Sequence, residues 1–521
     1  MPNVMRKWWT LVVVCTGIFM LLLDITIVNI ALPDLVKSLH ASFSDLEWVI
    51  DAYAISLAAL LLIAGSLGDL VGARRVFLGG LAIFCASSLL CGLAQSSAFL
   101  ITFRAVQGIG GAAMFATSLA LLAHKYRGRD RGIALSAWGA TAGGAVAIGP
   151  LVGGALTSGI SWRWIFLINV PIGIAAFAAT IARVDEAPRR PGVRPDWLGF
   201  VTLAGAMFAG IYGLIRGNQD GWTSPGILVA FASCVVLLAA FLLVEHQRRN
   251  RQPMLELALF RNPALAGACV GALMISASIF SVLLYLTLYL QDVLRYSAFQ
   301  TGLRFLPLTI PIILAAPVAG RLSGRVPPRP LIGGGLGLIA VGLALMTMIS
   351  PTSGWTVLLA GMIVSGVGSG VTNPVLASAA VGTVSSEKAG VGSGINNTFR
   401  QVGIAVGIAG LGAIFASTVR STFVSNLAAR APQLARHGSR LAGSITSGGG
   451  FSSVHPRGPG AQVIASAVRY SFATGLDRIL WVAAITAAVG AVVSAVLLRT
   501  RDISSAPETS AEHEEIMRRA A

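Results

Sequence analysis

Apolar residues fall in fourteen long runs, at about 8–32, 48–68, 76–95, 98–123, 133–158, 164–182, 197–215, 225–244, 263–290, 300–322, 331–350, 355–380, 393–417 and 478–498. Wound as α-helices at 1.5 Å per residue, such runs cross roughly 30 Å of hydrocarbon. They are too long for membrane strands and do not alternate. The pattern therefore predicts an all-α, polytopic membrane protein with fourteen spans. The first run follows Arg6 and Lys7 as in a secretory signal. It continues past Asp24 to Pro33, too long for a signal core and without a small-residue cleavage site, so it reads as an uncleaved span. One interval is large. Between 420 and 477 the centre, Gly438 to Gly460, is rich in Gly and Ser and reads as a long extracellular loop, with flanks near 421–435 and 462–476 that read as short amphipathic helices.

Composition changes the solvent rather than the elements. Hydrophobic residues make up 55% of the 521, charged residues 11%, and mean hydropathy is +0.77. Soluble domains carry about 25% charged residues, so lipid must cover much of this chain. The net charge of +17 is not gathered on one tail or face. With the N-terminus in the cytoplasm, the inside segments hold 24 Lys and Arg, and the short outside loops hold only Lys37, Arg163, Arg216 and Arg295. The positive-inside rule accounts for this asymmetry, puts both termini in the cytoplasm and removes the case for nucleic-acid binding. The five cysteines lie singly in apolar runs and imply neither a disulfide framework nor a zinc site.

An internal repeat divides the chain. A-G-S-L-G-D-L-V-G-A-R at 64–74 is similar to A-G-R-L-S-G-R-V-P-P-R at 319–329, each after the second span of a half if the ninth run opens the second half. Residues 1–183 then form a six-helix half, 184–262 two inserted helices with linkers, 263–498 a second six-helix half containing the loop 420–477, and 499–521 a cytoplasmic tail.

Four motifs carry candidate chemistry. L-D-I-T-I-V-N-I-A-L-P at 23–33 sets Asp24 and Asn29 inside the first span. Intramembrane carboxylates are expensive and mark function by default; the alternative is an acid neutralised by a structural hydrogen bond. L-I-T-F-R-A-V-Q-G-I-G-G-A at 100–112 sets Arg104 and Gln107 inside the fourth span. Asp24 lies about 13 Å and Arg104 about 9 Å below the outer ends of their spans, similar depths in one half. Asp51, near the start of the second span, is a weaker candidate, readable also as a solvated helix-start acid. G-P-L-V-G-G at 149–154 puts a proline and three glycines in the fifth span, suiting close packing and a bend that a gate requires.

These patterns, in this order, resemble the drug:proton antiporters of the major facilitator superfamily. The span count narrows the resemblance to the fourteen-span, EmrB/QacA-like group, as do W-R-W-I-F-L-I-N-V-P-I-G at 162–173, D-W-L-G at 196–199, L-F-R-N at 259–262, Y-L-Q-D-V at 289–293 and N-N-T-F-R-Q-V-G at 396–403. It covers about residues 10–500. It implies a major facilitator fold and proton-coupled export by alternating access. Asp24 and Arg104 are implied in proton coupling, and Asp51 joins them as a candidate from its position in the second span. Gly65, Asp69, Arg74 and Arg75 are implied in a cytoplasmic latch, and Gly149, Pro150, Gly153 and Gly154 form the antiporter signature. Asn29, Gln107, Tyr285, Asn397 and Arg400 are candidates for a substrate cavity. The chain departs from the pattern at Leu70 and Ala73, where the loop usually has basic residues, at Ala145, which replaces a leading glycine, and at Gly324, which replaces an acid in the second loop copy.

The expected function is export of drugs, antibiotics or related small amphiphiles from a bacterial cell, powered by the proton gradient with no cofactor or metal. The expected partners are the substrate, protons and the lipid bilayer, with the chain acting as a monomer. An importer or an exporter of one metabolite is the alternative. No H-E-x-x-H or G-x-S-x-G occurs and no lysine follows a glycine, so neither those enzymes nor a P-loop is indicated. Few acids in the second half favour neutral or singly cationic substrates over dications.

Overall fold

The computed structural model describes residues 2–126, 128–186, 196–247, 257–323, 325–347, 349–383, 389–430 and 461–498. Among the described residues all regular structure is helical. The first half comprises α1 (Pro2–Leu39), α2 (Phe43–Val71), α3 (Ala73–Gly92), α4 (Ser97–Lys125), α5 (Gly128–Gly159), α6 (Trp164–Leu167) and α7 (Asn169–Arg183). Next come α8 (Trp197–Asp220) and α9 (Pro225–Gln247). The second half opens with α10 (Pro263–Ile275), a π-turn (Ser276–Phe280), α11 (Ser281–Leu288) and a second π-turn (Tyr289–Val293). It continues through α12 (Ala298–Arg304), α13 (Leu306–Leu322), α14 (Pro328–Leu345), α15 (Leu359–Gly382), α16 (Ala389–Arg430) and α17 (Ala461–Leu497).

Among the described residues eleven helices are long and apolar enough to span a bilayer, thirteen if two bent pairs each count as one span. Those pairs match the fifth and tenth runs. The predicted fourteen also counts α2, whose polar end carries Asp45, Glu47 and Asp51. On α9, Val235 and Val236 are each more than 60% exposed, an apolar face turned to lipid.

The packing repeats. In the first half α1 packs on α5, α2 and α3 on α4, and α3 on α7; in the second α10 packs on α16, α13 and α14 on α15, and α14 on α17. The repeated loop motif thus joins equivalent helices, α2 to α3 and α13 to α14. Helices α8 and α9 pack on each other, and α8 lies against α2 and α16.

Two expectations about 420–477 are corrected. Residues up to Arg430 continue α16 and residues from Ala461 belong to α17, so the flanks are extensions of the spans rather than separate short helices. At 42 residues α16 is about 60 Å long, well beyond roughly 30 Å of hydrocarbon. Val419, Phe423 and Leu427, spaced four apart, are buried in the same core as Phe472 and Leu476 of α17. No Gly or Pro interrupts 413–430, so nothing stops the helix where the apolar run ends. The predicted loop centre, Gly438 to Gly460, lies outside the described residues, as does the tail 499–521.

Candidate functional site

Asp24 sits in mid-α1 and Arg104 about two turns into α4, and the fold brings them into direct contact. Both are buried, and Arg104 Nη1 donates to Asp24 Oδ2. The carboxylate accepts further bonds at Oδ1 from Gln107 Nε2 at 3.1 Å and Asn169 Nδ2 at 3.4 Å. Gln107 and Asn169 both also donate to Ser88 Oγ, at 3.2 and 3.1 Å. Arg104 is held from its other sides: Nε donates to the Val49 carbonyl at 3.0 Å, Nη1 to Gln107 Oε1 at 2.9 Å, and Cζ lies 4.3 Å from the Tyr53 ring centroid. Five helices therefore converge on one ion pair. A buried pair is stable only when secondary bonds satisfy the remaining donors and acceptors, and here Nε and Nη1 of the guanidinium and both carboxylate oxygens are bonded. Gln107, a candidate for the substrate cavity, belongs to this network. Asn169 and Ser88 drew no role from the sequence, although Asn169 stands inside the quoted 162–173 phrase.

The charge asymmetry makes the end bearing Ser42, Ser158 and Ala298 the outer one. Here the glycines of α5 bring the halves together. A Cβ at Gly149 would collide with Thr26 Oγ1, and one at Gly153 would come within 2.8 Å of the Ile27 carbonyl, so α5 lies flush on α1. On the opposite face a Cβ at Gly154 would meet the Ala298 carbonyl at 2.5 Å and Phe299 Cα at 2.9 Å. A Cβ at Gly302 would meet the Pro150 carbonyl at 2.5 Å in return. Phe299 N donates to Ser158 Oγ at 2.8 Å, and Gln291 Nε2 to the Ile30 carbonyl at 2.8 Å. The α5 axis bends by 44° between Ala145 and Ile148, beside the carbonyl of residue 146 that the Pro150 ring crowds.

A second polar group closes the other flank of the same end. Glu47 and Asp51, one turn apart on α2, are both buried. Tyr285 in α11 donates to Glu47 Oε1 at 3.4 Å and to the Ile408 carbonyl at 2.8 Å. Glu47 Oε1 also occupies the space that a Cβ on Gly412 of α16 would need. Neither oxygen of Asp51 has a hydrogen-bond partner. So Tyr285 lies between the halves rather than beside Asp24. Glu47 escaped sequence reasoning because it follows Ser42–Asp45, where an acid looks like a solvated first-turn residue.

The cytoplasmic loop between α2 and α3 is placed within the first half. Arg74 N donates to Glu186 Oε1 at 2.9 Å, Arg74 Nη2 donates to the Ile181 carbonyl at 2.6 Å, and Arg75 Nε lies 3.8 Å from Glu186 Oε2. Gly72 at φ +117° makes the turn and leaves room for the Glu186 carboxyl, which would stand 2.7–2.9 Å from a Cβ there. Glu186 was not anticipated as a partner. Gly65 has open space around it, and the Asp69 side chain lies outside the described residues. Of the remaining cavity candidates, Asn29 is buried and donates to the Ile25 carbonyl within its own helix at 3.3 Å. Asn397 and Arg400 are half-buried on α16, where Thr398 between them donates to the Ala58 carbonyl of α2 at 3.4 Å.

A sequence profile described as the Major Facilitator Superfamily matches residues 14–408. The chain belongs to this superfamily. It is a multi-pass membrane transporter. It is 36% identical over 96% of its length to the Tetracenomycin C resistance and export protein of Streptomyces glaucescens, covering 94% of that protein. It is also 34% identical to the Multidrug resistance protein Stp of Mycobacterium tuberculosis, over 81% of this chain and 78% of that one. Among solved structures a bacterial homologue of the lysosomal transporter Spinster, in an inward-facing and unoccupied conformation, shares the fold. Its TM-score is 0.60 at 14% identity, over 96% of this chain and 99% of that chain. Members from bacteria and the many spans make it a protein of the bacterial cell membrane.

Proposed function

We propose that this chain exports drugs, antibiotics or related small amphiphiles in exchange for protons. The names of its relatives, resistance and export proteins among them, supply the direction of transport. The observation that carries proton exchange is the buried Asp24–Arg104 pair. A carboxylate inside the bilayer ionises readily beside a cation and holds a proton when that cation is withdrawn. Movement of α4 against α1 thus converts a change of shape into proton release. With Arg104 bonded to Asp24 and the outer end closed by Gly154, Gly302 and Tyr285, the arrangement is the one expected after a proton has left Asp24 towards the cytoplasm. Asp51 and Glu47 lie where the halves part on outward opening, and they join Asp24 as proton-coupling groups.

The proposed architecture is fourteen spans in two six-helix halves, with α8 and α9 inserted and α2 counted as a span. The chain works as a monomer on the proton gradient alone. Gly65, Asp69, Arg74 and Arg75 act as the latch when the cytoplasmic side closes. A carboxylate there at the N-terminus of α16 would favour that state. Everted membrane vesicles from an efflux-deficient host test the reading. Vesicles containing the protein should accumulate amphiphilic antibiotics on acidification of the lumen and lose them with a protonophore. Accumulation in right-side-out cells, driven by the same gradient, would establish an importer instead.

A further inference from the structure

Arg104 and Arg400 both stand inside spans, and they differ in one respect. Arg104 is held by Asp24, Gln107, Val49 and Tyr53. Arg400 has no hydrogen bond and no ion pair among the described residues; its one contact of note is Phe280, whose ring centroid lies 5.6 Å from Cζ. Arginine does not shed its proton in proteins, so this charge is permanent. A fixed charge inside a span without a counter-charge is expensive and is retained for an anion that comes and goes.

The surroundings hold that charge in place. Arg400 lies 11 residues into α16, about 16 Å along the helix from its cytoplasmic start. On the same face, Gly403 and Gly407 press α16 onto the span that carries Phe280. A Cβ at Gly403 would strike the Leu273 carbonyl, and one at Gly407 would come within 2.6 Å of Ala277 Cα. Phe280 ends the π-turn Ser276–Phe280, which interrupts the helix opposite the guanidinium. Such turns recur at functional sites. One turn towards the cytoplasm, Asn396 is buried with Oδ1 unbonded, a second polar group on this face without a partner.

Among the described residues no acid is paired with Arg400. Between residues 263 and 430 the sequence contains two acids, Asp292 and Glu387. Asp292 lies 12 residues beyond Phe280, about 18 Å outward. Glu387 stands 13 positions before Arg400 in the sequence and lies outside the described residues. From the first half, Glu47 meets α16 at Gly412, about 18 Å outward of Arg400.

We infer that Arg400 is the anion-recognition residue of the transport path, and that the chain carries organic monoanions: a carboxylate or acidic phenol on an aromatic body. The guanidinium fork receives the planar anion through two parallel hydrogen bonds. Phe280 offers its ring to the aromatic body, and the Asn396 amide borders the charged end. This deepens the export reading, on which it rests for the direction of travel. It also moves the favoured substrate away from the cation that a scarcity of acids alone suggests.

The test uses purified full-length protein in nanodiscs of zwitterionic lipid, without a gradient. The probes are pyrenebutyrate and its methyl ester, equal in aromatic body and different in charge. The parent should bind the acid about tenfold more tightly than the ester, the difference one charge-assisted pair supports. Arg400→Gln should abolish the preference by weakening the acid about tenfold relative to the ester, while Arg400→Lys should keep part of it. Equal binding of both probes by the parent, no binding of the acid, or a preference that survives Arg400→Gln overturns the proposal. So does displacement of the acid by phosphatidylglycerol in the disc, which would assign Arg400 to a lipid headgroup. If Arg400→Gln loses both probes, Arg400→Lys decides: a retained preference supports the assignment and its absence overturns it. Equilibrium binding does not depend on proton coupling, so this result and the vesicle result stand or fall separately.

Discussion

The glycine at 154 sets the sharpest expectation for how the halves work. A methyl group there would stand 2.5 Å from the Ala298 carbonyl and 2.9 Å from Phe299 Cα, both main-chain atoms of the opposite half. Neither can rotate away as a side chain would, so α5 and α12 must separate by roughly an ångström to reach ordinary contact near 3.5–4 Å. Overpacking of this kind costs about 1–3 kcal/mol. The clash exists only while the outer end is closed, so the full cost bears on the ratio of the two states. At 1.4 kcal/mol per tenfold, Gly154→Ala should shift that ratio towards outward-open forms by about five- to 150-fold. Spin labels at Ile160 and Leu303, both exposed, would report it as a longer distance population across the outer end. Gly159→Ala is the matched control, since a Cβ there meets nothing within 4 Å. If Gly154→Ala and Gly159→Ala give the parent's distance distribution alike, the close approach at Gly154 does not limit closure.

Other substitutions separate the parts of the site. Arg104→Ala should abolish gradient-driven transport and Arg104→Lys restore only part of it, because a point charge cannot serve Asp24, Val49 and Gln107 at once; full transport by the alanine variant would remove Arg104 from the mechanism. Tyr285→Phe removes the one hydroxyl that joins Glu47 to α11 and α16, and should lengthen the same outer-end distances in a fraction of molecules, with Glu47→Gln weakening closure less because an amide still accepts the bond. Asn169→Leu should lower the transport rate and thermal stability together, by about 1–3 kcal/mol for the acceptors it leaves at Asp24 and Ser88; unaltered melting would show that water replaces the amide.

Long apolar runs, the loop repeat and the asymmetry of arginines make the helical membrane fold legible in the sequence. The charged pair was legible too, because Asp and Arg are conspicuous in such runs. Of its uncharged supporters only Gln107 was singled out, and for a substrate cavity rather than for the pair. Ser88, Gln107 and Asn169 cost little individually inside a helix bundle, and only the fold shows that they meet at one carboxylate. Glu47 was hidden by its polar neighbours at the start of α2, and Glu186 by its place just after a span. The glycines of α5 were visible as small residues, but not that Gly149 and Gly153 face α1 while Gly154 faces α12. The extensions of α16 and α17 were missed because the end of a hydrophobic run marks the end of the lipid, not the end of a helix. The π-turns at Ser276–Phe280 and Tyr289–Val293 have no sequence signature of their own.

Proton coupling through Asp24 is the central claim, and comparing two modes of transport in one preparation tests it most directly. Asp24→Asn keeps the size and polarity of the side chain and removes its titration. Because the change leaves the buried Arg104 without its counter-charge, the doubly substituted Asp24→Asn, Arg104→Gln protein serves as a folded companion. Proteoliposomes holding either variant should still equilibrate a labelled substrate against unlabelled substrate at near the parent rate, and should fail to accumulate it when a pH gradient is imposed. Accumulation against a gradient by Asp24→Asn at the parent rate would contradict the account and place the coupling proton elsewhere.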